Sequence, residues 1–217
     1  MKKLLLITLF ILIFFLTSCT DPEIKKCNKL TAIESYKTCF DDLALESNDI
    51  TICSKMRTPS NTNGCIFNFA VAKEDINLCN NVQNKNVKDT CIWRIAEIKK
   101  DLRICDSTLS KSTLDACRRD VISVIAVDNK DEKICDQIVS RQDYRESCIS
   151  LVALEKNDIK LCEKISSSYQ AGGCYSRIAG LRKDASICDN IQDAESLLKN
   201  YCVNLATGKL IIKEIGK

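Results

Sequence analysis

Histidine is absent from the 217-residue chain. The usual general base and the commonest metal ligand go with it, as do Ser-His-Asp and Cys-His catalysis and H-E-x-x-H zinc sites. Glycine occurs six times and proline twice, too seldom for the many turns of sandwiches and barrels. Helices are favoured instead. No two cysteines stand close enough for a C-x-x-C pair, which argues against thioredoxin-like redox chemistry and zinc ribbons. No metal and no cofactor are expected. No glycine-rich phosphate loop exists either; Gly172-Gly173, just ahead of Cys174, reads as a turn within a hairpin loop.

Charge of one sign is lacking too. The chain has 32 basic residues, two of them at its very start, and 29 acidic ones. A nucleic-acid partner wants a clear basic surplus, and so does a polybasic membrane patch. The charges are interspersed, as on solvated helix faces. Long apolar runs are missing beyond the first stretch, Leu4 to Leu16, which at 13 residues is short of the roughly 20 that a membrane-spanning helix needs.

That stretch follows Met1-Lys2-Lys3 and leads to Leu16-Thr17-Ser18-Cys19. A basic start, a short apolar middle and small residues describe an export signal. The last four residues are similar to the lipobox of prokaryotic lipoproteins. That resemblance covers residues 1–19 and implies a diacylglyceryl group on the Cys19 thiol and cleavage before it. An uncleaved membrane helix and plain secretion are the alternatives. The expected organisation is a signal peptide over 1–18, a lipidated tether over 19–22 and a repeat domain over 23–217. Stable anchoring takes more than one acyl chain, and a diacylglyceryl cysteine has two. The expected location is extracytoplasmic, anchored to the cell membrane or outer membrane through Cys19.

What the chain has in plenty is cysteine, fifteen residues in all. Apart from Cys19 they fall on a beat. From Cys27 the steps run 12, 14, 12, 14, 12, 14, 12, 18, 13, 14, 12, 14 and 14 residues. Outside a reducing cytosol, an even set at regular spacing is a disulfide framework. Other residues keep the same beat. An acid stands four residues before the first cysteine of each pair: Glu23, Asp49, Asp75, Asp101, Asp131, Asp158 and Asp184. Apolar residues follow at three, four and seven positions beyond the acid, one face of a helix, except at Lys26 in the first unit and at Thr108, next to Leu109, in the Cys105 unit. The aspartates sit where N-caps belong. A short helix of two to three turns is therefore expected around each first cysteine. A longer amphipathic helix is expected around each second one, with an aliphatic or aromatic residue four positions on and, in most units, alanine five positions on: Ala44, Ala70, Ala96, Ala153 and Ala179. Such alanines allow close helix approach. Before Cys135 four residues are added, close to one extra turn.

Pairing within a unit brings both cysteines of an antiparallel hairpin about equally far from its turn, within the roughly 7 Å Cα separation a disulfide tolerates. Pairing across the other gap misplaces them by about five residues, or about 7 Å along the helix axes. The expected bonds are Cys27–Cys39, Cys53–Cys65, Cys79–Cys91, Cys105–Cys117, Cys135–Cys148, Cys162–Cys174 and Cys188–Cys202; a different connectivity is the competing reading. A hairpin of about 26 residues buries too little surface to stand alone, and stacking completes it. The expected fold is all-α, a right-handed α-solenoid of about seven short helical hairpins, each stapled by one disulfide. Leu210-Ile211-Ile212 is expected to cap the last one. The plan resembles that of tetratricopeptide-like helical repeats, shortened and disulfide-stapled, and is similar in kind to cysteine-rich helical-repeat proteins exported by some bacteria. The tetratricopeptide signature is missing, so no functional residue carries over.

Such an array points to a non-catalytic scaffold that binds a protein or peptide. A protease-resistant structural component of the envelope is the alternative, and a hydrolase is the least favoured reading. Trp93, Phe67 and Tyr175 lie within two residues of second cysteines and read as fillers between hairpins. Trp93, two residues past Cys91, is the best single candidate for a ligand contact.

Overall fold

Each aspartate of the repeat closes one helix and opens the next. In the computed structural model, which describes residues 22–192 and 196–209, the long helices end in a left-handed residue just ahead of that aspartate. Asn48, Glu74, Lys100, Lys130, Asn157 and Lys183 have φ between 50° and 54°. The amide of the following aspartate then turns back to the carbonyl of the repeat alanine, at 2.9–3.1 Å in all six junctions from Asp49–Ala44 to Asp184–Ala179. This is a Schellman C-cap built without glycine. The carboxylate of the same aspartate accepts the amide two residues on, at 2.9–3.0 Å, from Thr51 through Ser186. One residue thus satisfies both helix ends, and the interval from cysteine to cap is set by its geometry.

The elements follow in pairs. They are α1 (Pro22–Asn28) with α2 (Ile33–Ser47), η1 (Ile50–Lys55) with α3 (Pro59–Ala72), and η2 (Ile76–Asn81) with α4 (Lys85–Lys99). Then come α5 (Leu102–Cys105) with α6 (Lys111–Asn129), η3 (Glu132–Gln137) with α7 (Gln142–Lys156), η4 (Ile159–Lys164) with α8 (Ser168–Arg182), and η5 (Ala185–Asn190) with α9 (Ser196–Ala206). The described residues are all-helical, in a repeated array, as the sequence predicts. The added turn is there as well: α6 has 19 residues where α7 and α8 have 15.

Two expectations fail locally. Five of the seven first elements are six-residue 3₁₀ helices rather than α-helices of two to three turns. The tighter three-residue period stacks each cysteine beneath the apolar residue three places on, as Cys53 beneath Met56. The carbonyl of every first cysteine accepts that residue's amide at 3.0–3.2 Å. At the Cys105 unit that residue is Thr108, whose hydroxyl also bonds the cysteine carbonyl at 2.9 Å. In addition, Glu23 is not a cap: α1 already begins at Pro22, and Glu23 lies in its first turn.

All seven expected disulfides are present, with Cα separations of 5.5–5.8 Å. The chain divides between Cys91 and Ile92, inside α4, into two compact units. In the first unit Tyr36, Phe40, Ala44, Ile52 and Phe69 anchor the core around the cysteines. In the second, one core runs from Ile122 through Val152 and Ile178 to Cys202 and Ala206, and a smaller one gathers Ala96, Cys105, Cys117 and Val121. The six repeat alanines, with Ala126 in the shifted place, are fully buried. Each of α3, α6, α7 and α8 packs on its own first element, and α6, α7 and α8 also pack on the next long helix.

A further tie joins neighbouring repeats. Near three of the second cysteines, Cys39, Cys65 and Cys148, a buried polar side chain reaches the loop that opens the next long helix. Tyr36 Oη accepts the Arg57 amide at 2.6 Å, and Asn63 Oδ1 accepts those of Gln83 and Asn84 at 2.8 and 3.4 Å. Glu146, 3% exposed, accepts the amides of Ser166 and Ser167 at 3.2 and 3.3 Å and the Gln142 side chain at 2.8 Å. Burial works against its charged form, but these bonds and the Ser166 hydroxyl outweigh burial and lower its pKa.

Candidate binding groove

Long helices that pack side by side leave furrows between them. The second unit carries two such furrows. The first, of about 480 Å³, lies against α6 and α7, with Val124, Val127, Tyr144 and Leu151 in its walls and Glu97 of α4 at its edge. The second, of about 660 Å³, runs over α7, α8 and α9, with Ser150, Tyr169, Gln170, Arg177 and Tyr201 in its walls. Ser147 and Leu151 line both, so they adjoin across α7.

Their electrostatics differ. In the first furrow every charged group already has a partner. Glu97 accepts from Trp93 Nε1 at 3.0 Å and from Arg94 at 2.5 Å. Arg119 Nε donates to Asp120 at 2.6 Å, and the Asp120 carboxylate raises the arginine's pKa further. Asp128 pairs with Lys100. The guanidinium groups of Arg119 and Arg141 lie over the Tyr144 ring, at 4.3 and 4.7 Å from its centroid.

The second furrow is open-ended in its bonding. Arg177 is exposed, and among the described residues it makes no ion pair. Gln170 Oε1 is buried without a hydrogen-bond donor. Tyr169 and Tyr201 stand at its rim, 68% and 47% exposed, while Ser150 and Ser176 are buried in its floor. Gly172 and Gly173 are not in a loop, as the sequence led one to expect, but inside α8. A Cβ on Gly172 would stand 2.5 Å from Leu198 Cδ2, so glycine there lets α9 close onto α8; Gly173 faces the open furrow.

Trp93 lies beside the site rather than in it. It is half-buried against the Ala96–Cys105–Cys117–Val121 core, and Glu97 occupies its N–H. Phe67 is half-buried and Tyr175 buried, in keeping with their reading as fillers. Cys19 and the Leu210-Ile211-Ile212 cap lie outside the described residues. Sequence reasoning missed Arg177, Tyr169 and Gln170. For Arg177 a signal was there: the two positions after Cys+1 differ between most units, through Asp41-Asp42, Phe67-Asn68, Trp93-Arg94, Arg119-Asp120, Ser150-Leu151 and Ser176-Arg177, on helices whose other positions repeat. Among the described residues no group of three His, Cys, Asp or Glu side chains is placed to hold a metal, and no helix is long and apolar enough to cross a membrane. No known protein family, curated protein or solved structure matches this chain.

Proposed function

We propose that the protein is a lipid-anchored, extracytoplasmic binding module that holds a protein or peptide segment along α6–α9 without catalysing a reaction on it. The observation that carries the reading is the pair of adjoining furrows. Exposed Leu151, Tyr169 and Tyr201 stand there on helices stapled by disulfides. Rigid aromatic anchors of this kind lose little conformational entropy on binding. Disulfides in every repeat accord with an oxidising compartment, and the Leu16–Cys19 motif supplies the anchor.

A photo-crosslinking residue at Tyr169 on intact cells is expected to yield a discrete adduct that the same residue at Lys160, exposed on η4, does not. Identical bulk neighbours at both positions refute the reading. Incorporation of labelled fatty acid, lost in Cys19→Ser, tests the anchor. The stapling of all seven hairpins also favours a second reading, a protease-resistant structural component of the envelope. High abundance with no stoichiometric partner at Tyr169 would select it.

A further inference from the structure

We infer that the two furrows form one track for an extended peptide that presents an apolar run followed by a carboxylate, the run lying on Val124 and Leu151 and the carboxylate meeting Arg177. This rests on the binding reading above and specifies its ligand.

The walls are continuous, because Ser147 and Leu151 belong to both furrows. The charges of the first furrow are mutually neutralised through Arg94–Glu97, Arg119–Asp120 and Lys100–Asp128. What it offers a ligand is apolar surface, and a charged group placed there would compete with pairs already formed. In the second furrow the balance is reversed. Arg177 is a cation with no anion among the described residues, and its planar fork matches a carboxylate.

Gln170 bears on the class of ligand. A buried acceptor without a donor is satisfied only by a partner that brings an N–H or O–H. A phosphodiester or a fully ionised phosphate ester brings acceptors alone. A peptide brings backbone N–H groups beside its carboxylates, and the Gln170 amide can complement a peptide unit with both its acceptor and its donors. Tyr169 and Tyr201 flank the same stretch with apolar rings and hydroxyls. From α6 to α8 is two helix spacings, roughly 20 Å. An extended chain covers that in about six residues.

The test pans a phage-displayed library of random nonapeptides against the full chain, purified in detergent with its disulfides intact. The counter-selection uses the Val124→Asp/Arg177→Gln variant, with far-UV circular dichroism to confirm its fold. Enriched peptides are expected to carry apolar residues about six positions ahead of Asp or Glu. A synthetic representative should bind at least tenfold more weakly when its acids are changed to amides. Arg177→Gln should weaken the acidic peptide by the same factor and leave the amide form unchanged, while Val124→Asp weakens both. Enrichment without acids, affinity independent of charge, or binding of peptidoglycan fragments where no peptide binds overturns the inference. If the Tyr169 adduct persists in those cases, the protein still binds a partner there and only the ligand class is wrong; loss of the adduct as well overturns both.

Discussion

Replacing Lys183 by glycine should stabilise the protein, although it deletes a side chain and adds none. Lys183 is exposed and holds φ at 54° to let the Asp184 amide reach Ala179. The left-handed region costs an ordinary L-residue about 1–2 kcal/mol. Glycine removes that strain and returns about 0.5–1 kcal/mol through its larger unfolded-state entropy. The net gain is about 0.5–1 kcal/mol at this site. Lys100 (φ 53°) and Lys130 (φ 52°) share the geometry, but pair with Asp128 and Glu155. Exposed pairs of this kind are worth at most about 1 kcal/mol and commonly less. The triple variant should therefore gain about 1–2.5 kcal/mol, roughly 3–8 °C in Tm for a chain of this size. Asn157→Gly serves as a control, since asparagine tolerates this region and should gain only a few tenths of a kcal/mol. Lys183→Val, β-branched, should lose more than about 1 kcal/mol. Guanidinium unfolding followed by circular dichroism, with disulfides intact, reads the global effect. Hydrogen exchange at the Asp184 amide reads the local one, which matters because repeat arrays can open piecewise. Equal gains at Asn157 and Lys183, or no gain at Lys183, would refute the strain argument.

Four further outcomes follow from the same geometry. Gly173→Ala, with no atom within 4 Å of its new Cβ, should gain about 1 kcal/mol of helix propensity, whereas Gly172→Ala should lose most or all of that gain against Leu198, as thermal unfolding of the two variants will show. Replacing Cys162 and Cys174 together by serine should cost about 3 kcal/mol in the chain-entropy model, with hydrogen exchange rising first in η4 and the start of α8. Glu146→Ala should cost about 2–4 kcal/mol by leaving the Ser166 and Ser167 amides without their acceptor, measured by denaturant unfolding. Acid should destabilise the fold. Lys164 is the largest influence that lowers Glu132 from 4.5 to about 2, and hydrogen bonds lower Asp49, Asp101, Asp184 and Glu146. A carboxyl depressed in the folded chain contributes fully above its unfolded value, so this stability is present above about pH 4.5 and drains away toward pH 2. Asp41, raised by burial, works in the opposite sense. A titration in which unfolding midpoints stay level from pH 5 to 2.5 would contradict this.

The parts of the fold that could be read from the chain are those that physics forces into every repeat. A disulfide needs its two cysteines at a fixed offset, a cap needs an aspartate, and close packing needs an alanine, so each appears seven times or nearly so. What could not be read were features carried by the backbone or shared among residue types. The left-handed C-caps bear Asn, Glu and Lys where glycine is the usual signal. The tie between repeats is made by Tyr36, Asn63 and Glu146, three chemistries for one task. The 3₁₀ geometry of five first elements is one that a count of apolar positions does not distinguish from an α-helix.

The groove escaped for the opposite reason. Where the scaffold repeats, the face of the long helices beyond each second cysteine does not: Trp93, Arg119, Ser150 and Ser176 hold one register position in four successive units. A structural role common to all units would have fixed that position as it fixed the buried alanines. Trp93 was singled out for its place two residues past Cys91, yet its indole is spent on Glu97 and the neighbouring core. Arg177 and Gln170, which lack an ion pair and a hydrogen-bond donor among the described residues, lie three repeats further on, in the unit of Ser176. In an array stapled at every step, stability is supplied by the invariant positions. The varying column is therefore free to differ, and the furrow beside it at α8 is where a ligand has the most to offer.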